Sequence, residues 1–456
     1  MTRDLNRRDV LKLGAAGFGA ALAAAGGPEP LGAVAVDQRP GLGPAPDAPF
    51  AAPPMEVVRV AYVGVGLQGS SHCENLLNIP GVQIKALCDI VPEKVERMQQ
   101  QVVEAGHPKP AAYTRGERDF ERLCETEDVD LVYTATPWEW HVPVLVAAMK
   151  NGKHAATEVP AAITLDECWQ MVEHAEKHKK HCVMMENCNY DRPEMLVFNL
   201  VRKGLLGEVL HAECGYLHDL REIKFENKDE GLWRRAHAMK RNGNPYPTHG
   251  LGPVANCLDI NRGDRFAYLV SMSSPSRGLQ LYAQEYFPEG SPQRSEKFVL
   301  GDVNTTLIRT ASGRTIFVSH DTNLPRPYSR IHMVQGTRGL FQGYPNRVHI
   351  EGRSPAHQWE PIDKYYEEFE HPLWKDLGLK SREAGHGGMD YLEDYRLIKC
   401  LREGTPLDVT VYDAASLSAV CELSERSVAQ GSKPMEFPDF TRGRWKTTAP
   451  LGIVGA

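Results

Sequence analysis

The hydrophobic pattern changes character once along the chain. In the first part, short β-branched and apolar runs alternate with helix-like stretches. Val57–Val63 reads as a strand, Leu76, Leu77 and Ile79 fall on one side of a following helix, and Val82–Cys88 reads as a second strand. Further strands are predicted over Val129–Ala135, His154–Glu158 and Cys182–Met185. A helix over Thr164–Lys179 opens with Thr164 and Glu167 at the spacing of a capping box. Strands alternating with helices in this way predict a parallel sheet. After Glu186 the period becomes two. Val209–Tyr216, Thr305–Arg309, Thr315–His320 and Ile331–Gln335 read as half-buried strands of a more antiparallel sheet. Helices are predicted over Pro193–Arg202, Gly252–Asn261, Met389–Arg402 and Tyr412–Gln430. The expected fold is α/β. An N-terminal Rossmann dinucleotide-binding domain spans 55–186, and a C-terminal α+β domain with an open, largely antiparallel sheet spans 187–456.

Residues 1–54 stand outside this pattern. Asn6-Arg7-Arg8-Asp9-Val10-Leu11-Lys12 precedes a mildly apolar, Ala/Gly-rich run from Leu13 to about Gly27, the layout of a signal peptide. The paired arginines resemble the twin-arginine export signal, which implies export of an already folded protein to the periplasm or beyond. The run is too short and glycine-rich for a membrane span, and no later stretch reaches ~18 apolar residues. Pro28–Pro54, rich in Pro, Gly and Ala, reads as a linker. The whole chain is 42% hydrophobic and 24% charged, enough for a normal core. A net charge of −7 without a basic stripe excludes a nucleic-acid partner. The ten cysteines form no C-x-x-C pair, so zinc and redox motifs are unsupported and the thiols read as small buried hydrophobes.

Chemistry enters at Gly64-Val65-Gly66-Leu67-Gln68-Gly69, a G-x-G-x-x-G that follows a strand, precedes a helix and has Asp89 twenty residues beyond Gly69. Gly64 permits the tight turn, Gly66 lets the backbone approach a pyrophosphate, and Gly69 lets helix and strand pack closely. Leu67 and Gln68 lie at the helix start, where free N–H groups attract phosphate. Asp89 would bind the ribose hydroxyls. Ile90 and Val91 follow it, with no Arg for a 2′-phosphate, so NAD is preferred over NADP. Among the other residues, His249 is an imidazole at a junction into a helix, a group suited to proton transfer. Arg234 offers a fork of donors for sugar oxygens, with Arg235 a near rival. Tyr216, Tyr246 and Tyr328 offer faces for a sugar ring and hydroxyls to orient it, with a core or rim aromatic as the alternative reading of each. Tyr190 stands at the domain junction, where crevices form, and taken alone reads more readily as packing. No carboxylate pair and no metal-ligand spacing stands out.

Glu158-Val159-Pro160 resembles the Glu-Lys-Pro of the Gfo/Idh/MocA oxidoreductase family, with Val159 in place of the lysine. The Asp-x-x-x-His of that family is also incomplete, because Pro245 stands four residues before His249. Thr157-Glu158-Val159-Pro160-Ala161-Ala162, Glu186-Asn187, Asn244–Pro253, Pro325–Arg330 and His386-Gly387-Gly388-Met389-Asp390 resemble glycoside hydrolase family 109. That resemblance implies an α-N-acetylgalactosaminidase with tightly held NAD and a twin-arginine leader. It implies sugar contacts from Tyr216, Arg234, Tyr246, Pro247, Thr248, His249 and Tyr328. It places Trp138, His141, Glu158, Val159 and Asn187 at the nicotinamide half, in or near the loop after a sheet strand. It gives His249 the C3 hydroxyl proton and makes Tyr190 a wall of the sugar site that handles the C2 proton. Hydride would leave C3 for NAD, the ketone would acidify C2, the aglycone would be eliminated from C1, water would add, and the hydride would return. Two alternatives stay open: a net NAD-dependent sugar dehydrogenase, which the missing lysine at Val159 disfavours, and a non-catalytic sugar-binding protein that retains NAD. The expected partner is a small-molecule or glycan substrate, and a homodimer is expected by analogy. His386 and Asp390 border the site by position, and the pattern alone assigns them no role.

Overall fold

The computed structural model describes residues 32–36, 38–39, 42–43, 45, 52–381 and 384–455. The expected leader lies outside the described residues. Six strands form the first sheet: β1 (Val58–Val63), β2 (Val82–Cys88), β3 (Ala111–Tyr113), β4 (Leu131–Thr134), β5 (His154–Thr157) and β6 (Cys182–Met184). They are all parallel, in the order β3-β2-β1-β4-β5-β6. The chain reverses its direction of winding between β1 and β4, and a crevice opens at the carboxyl ends of these two strands. The helix Leu165–His178 carries the capping box read from Thr164 and Glu167. Trp138 and His141 differ from expectation: they form the first turn of the helix Trp138–Lys150 and not a loop. The short strand β3 and the helix Asp119–Thr126 are too brief to leave a periodic signal.

The second sheet has nine strands: β7 (Val209–Leu217), β8 (Phe266–Ser273), β9 (Val303–Thr310), β10 (Thr315–Asp321), β11 (Met333–Gly336), β12 (Gly339–Gln342), β13 (Arg347–Ile350), β14 (Glu360–Pro361) and β15 (Met435–Glu436). Their order is β14-β13-β12-β11-β7-β10-β9-β8-β15, antiparallel except where β10 runs parallel to β7. The helix Thr248–Cys257 lies on β7, and a Cβ at Gly250 would come within 2.4 Å of the Gly215 nitrogen. Helix and strand therefore meet backbone to backbone, which fixes the height of Thr248 and His249 above the sheet.

The sheets part after β6, but the helices do not respect that division. Met389–Glu403 packs against Leu67–Leu77, and Val411–Ser418 packs against Leu165–His178. The single helix expected over Tyr412–Gln430 is two, Val411–Ser418 and Val420–Ala429, meeting at Ala419. The stretch read as a linker borrows the edge of the second sheet. Val34 donates its N–H to the Pro434 carbonyl and accepts from Glu436 N, while Arg39 pairs with Asp166 and Glu173. All ten cysteines are free and buried. Among the described residues, no helix is long and apolar enough to cross a membrane.

Candidate functional site

The crevice after β1 is shaped for a dinucleotide. A Cβ on Gly64, at φ +84°, would stand 2.8 Å from the Ala135 carbonyl oxygen, and one on Gly69 would stand 1.9 Å from that of Gly64. Only glycine fits either position. A Cβ on Gly66 would face open space apart from the Lys94 ammonium at 3.4 Å. The helix Leu67–Leu77 has no side-chain cap, so its first N–H groups face the crevice. Leu67 is exposed at the mouth. Asp89 accepts the N–H of Val65 and of Val91, each at 2.9 Å, which holds its carboxylate beside the turn. Cradle, helix end and carboxylate fit the diphosphate and a ribose of NAD.

Glu158 closes β5. Its two oxygens accept from His72 Nε2 at 2.7 Å and from the Val159 N–H at 3.1 Å. Trp138 is buried, with its ring 4.7 Å from that of Trp233 and 5.7 Å from that of Tyr246. Asn187 and Gln68 both donate to the Asp390 carboxylate, at 2.6 and 3.2 Å. His141 differs from the expected cofactor contact. It is buried, and its two ring nitrogens lie 2.8 Å from the carbonyl oxygens of Pro160 and Thr136, so it ties two loops together.

On the sugar side, the helix Thr248–Cys257 begins directly after Pro247. His249 Nδ1 lies 2.7 Å from Glu186 Oε1, and its Nε2 lies 3.3 Å from the Tyr246 hydroxyl. A carboxylate only accepts, so the proton sits on Nδ1 and Nε2 is left as the basic nitrogen. Glu186 is fully buried, and its second oxygen has no partner among the described residues. It supplies in space the carboxylate that the sequence lacks at Pro245. Glu186, Cys188 and His249 hold ligand atoms within 4.8 Å of one another. The Glu186–His249 bond already uses two of them, and burial pushes the Cys188 thiol up, away from thiolate. This donor set suits a hydrogen-bonded dyad better than a metal.

Aromatic rings surround the dyad. The Tyr216 ring is 4.6 Å from Tyr246, 5.5 Å from His249 and 6.1 Å from Tyr328. Burial pushes the Tyr216 phenol up to about 12 and also raises those of Tyr246 and Tyr328, so all three remain hydroxyl donors. Arg234 lies 5.0 Å from the Tyr246 ring and 5.2 Å from that of Trp138, held by Glu230 at 2.8 Å. The hydroxyl of Thr248 is buried without a partner among the described residues, beside buried Pro247. Arg330 donates to the Tyr328 hydroxyl at 3.1 Å and is anchored by Glu194 at 2.7 Å.

The structure therefore brings Tyr216, Arg234, Tyr246, Pro247, Thr248, His249 and Tyr328 together, with Trp138 at their edge. It does not bring Tyr190 to this cluster. The Tyr190 hydroxyl donates to Asp408 at 3.0 Å, and Asp408 is gripped by Arg396 at 2.8 Å. That phenol is committed to an interior pair, which is a packing role. Three side chains of the site were not singled out from the sequence. Glu186 carries no local signal of its own, although a histidine lacking its nearby aspartate calls for a carboxylate from elsewhere. His218, whose Nδ1 is 3.1 Å from the Tyr216 hydroxyl, lies two residues after Tyr216, just past the end of β7. His320 faces Tyr216 across the β7–β10 pair. Burial holds it neutral, and its Nδ1 is unpartnered among the described residues.

Comparison with known proteins bears on this site. The family model Glycosyl hydrolase 109, C-terminal domain, matches residues 190–447. The model Oxidoreductase family, NAD-binding Rossmann fold, matches residues 58–186. A glycosyl hydrolase family 109 protein of Shewanella pealeana is 48% identical, covering 99% of this chain and 99% of its own. A Shewanella oneidensis protein named alpha-N-acetylgalactosaminidase is 49% identical, covering 89% of this chain and 90% of its own. Among solved structures, levoglucosan dehydrogenase in complex with NADH and L-sorbose superposes with a TM-score of 0.63 at 20% identity, covering 84% of this chain and 100% of that one. Scyllo-inositol dehydrogenase from Lactobacillus casei with NAD(H) and scyllo-inositol gives 0.60 at 12% identity, covering 83% and 99%. At such identities the likeness shows the shared fold.

Proposed function

The chain belongs to glycosyl hydrolase family 109, and from that membership we propose that it releases terminal α-linked N-acetylgalactosamine by an NAD-dependent route. It is a glycoside hydrolase whose N-terminal domain binds NAD. The substrate reading is supported by the name of the Shewanella oneidensis relative. The observation that carries the proposal is a dinucleotide cradle joined to a His–Glu dyad, with Glu186 fixing the tautomer of His249 at 2.7 Å.

When bound, NAD would supply a reversible hydride acceptor for C3 of the sugar; the C3 ketone acidifies C2, whose proton passes to solvent as the aglycone leaves C1, and water then adds its hydroxyl at C1 and a proton at C2 before the hydride returns. Gly64, Gly66 and Gly69 would admit its diphosphate, Asp89 its ribose, and Glu158, Asn187 and Trp138 would border its reactive end. His249 Nε2 takes the proton of the C3 hydroxyl and returns it at the close of the cycle. The buried Glu186 carboxylate stabilises the imidazolium that forms in between, as the carboxylate of a catalytic triad does. Glu230 engages Nε and Nη2 of Arg234, and the rest of that guanidinium faces a sugar oxygen. The rings of Tyr216, Tyr246 and Trp138 exclude water and receive the apolar face of the sugar. Arg7-Arg8 and the apolar run after them support export through the twin-arginine route.

A panel of chromogenic glycosides tests the reading. The α-N-acetylgalactosaminide should be cleaved without net NADH, and hydrolysis in heavy water should leave deuterium at C2 of the released sugar. NADH accumulating in proportion to sugar would establish a dehydrogenase instead. Cleavage of a substrate whose C3 hydroxyl is blocked as a methyl ether would overturn the redox route.

A further inference from the structure

One polar assembly is used neither by the dyad nor by the sugar wall. The His386-Gly387-Gly388-Met389-Asp390 stretch leads into the helix Met389–Glu403, which comes from the second half of the chain yet packs on the helix Leu67–Leu77. Asp390 and Asp394 stand four residues apart on that helix and share a face. Both are completely buried. The Asp390 carboxylate accepts from Asn187 at 2.6 Å, from Gln68 at 3.2 Å and from His386 Nδ1 at 2.7 Å. Asp394 accepts from His72 Nδ1 at 2.8 Å, and the other nitrogen of that ring donates to Glu158 at 2.7 Å. Burial pulls the His72 pKa down, but Asp394 and Glu158 lift it further, so the ring is charged and gives an N–H to each. The loop before the helix is pressed home. A Cβ on Gly385 would stand 2.7 Å from the Asp390 carboxylate and 2.9 Å from the Ser71 hydroxyl.

Burying two carboxylates is costly, and apolar side chains would pack the same helix more cheaply. What the carboxylates hold explains their presence. Gln68, Asn187 and Glu158 are the side chains that border the dinucleotide crevice on three different segments. We propose that Asp390 and Asp394 are positioning residues that lock these three side chains, so that NAD stays bound between turnovers. The inference rests on the reading that these side chains contact NAD. It also matches the chemistry of that reading: an enzyme that hands its hydride back gains from a cofactor that does not leave, whereas a dehydrogenase must release it.

The test uses the purified holoenzyme and its Asp390→Asn, Asp394→Asn and doubly substituted variants, measuring NAD per chain after desalting and the NAD dissociation rate. Each single change should speed dissociation by about tenfold, the scale of one lost charged hydrogen bond, and the double change by more. Added NAD should restore turnover with the KM for sugar unmoved, which a merely misfolded variant would not show. Asp89→Ala separates the two ideas. If Asp89→Ala holds NAD as tightly as the unaltered enzyme, the placement of the cofactor on these residues fails. If it sheds NAD while the Asn variants keep the wild-type dissociation rate, the lock is overturned. Should the Asn variants not fold, His386→Ala decides, since that ring is 54% exposed and its loss leaves the core closed. It should raise the dissociation rate by a smaller factor, and an unchanged rate would again overturn the lock.

Discussion

At the scale of the residue, the site turns on which nitrogen of one imidazole carries the proton. Glu186 decides this by accepting from Nδ1. Replacing it with alanine leaves His249 in place but free to adopt either tautomer. The expected loss in kcat is on the order of 10²–10⁴, the range for a disabled general base, with KM nearly unchanged. A Glu186→Ala enzyme with wild-type kcat would remove Glu186 from the mechanism. Individual chemistry-bearing residues were legible where a local pattern specified them. Gly64, Gly66, Gly69 and Asp89 announce themselves by spacing, and His249 by its setting. Glu186 was not legible, because it lies 63 residues from His249 in sequence and only the fold joins them. Tyr190 shows the opposite error. Its place beside Glu186-Asn187 suggested the sugar site, but Asp408, 218 residues away, claims its hydroxyl.

At the scale of the element, capping and periodicity carried the reading and packing partners did not. The Thr164–Glu167 box was visible as sequence, and so was the alternation of β7, β9 and β10. The break at Ala419 was not, since a pattern apolar on both sides of the junction continues through it. Two predictions belong here. Gly250→Ala would put a methyl 2.4 Å from the β7 backbone and push the helix Thr248–Cys257 off the sheet. A stability loss of about 1–3 kcal/mol is expected, together with lower activity from a displaced His249. Thermal unfolding of this variant at the wild-type temperature would show that the contact is slack. The second concerns β5 and the start of β6. His154 Nδ1 accepts the His181 N–H at 3.0 Å, which requires a neutral ring. Burial lowers His154 to about 3 and His181 to about 4. Their unfolded values lie near 6.5, so the unfolded chain binds more protons below that pH. Stability is therefore intact above pH 6.5 and falls as the pH drops toward 4, by up to about 1.4 kcal/mol per pH unit for each ring. Melting temperatures between pH 7 and 4.5 should show the decline, and His181→Leu should make it shallower. An identical slope would place the acid sensitivity elsewhere.

At the scale of the whole molecule, two sheets were foreseeable from the change of period, but their interlocking was not. Hydrophobic pattern reports that a helix has a buried face without saying which sheet receives it, so Met389–Glu403 and Val411–Ser418 gave no sign of covering the first domain. The same is true of the segment near Val34, whose composition suggested a tether and whose backbone is hydrogen-bonded at Pro434 and Glu436. That attachment has a temporal meaning. On a ribosome, residue 34 emerges some four hundred residues ahead of the strand it must join, so the segment stays undocked until synthesis is nearly complete. Its docking then acts as a completion seal, set only on a molecule whose last strand is in place. A chain ending before Met435 should keep the segment around Val34 open to limited proteolysis while the full chain resists, and equal resistance in both would show that the seal closes on something else.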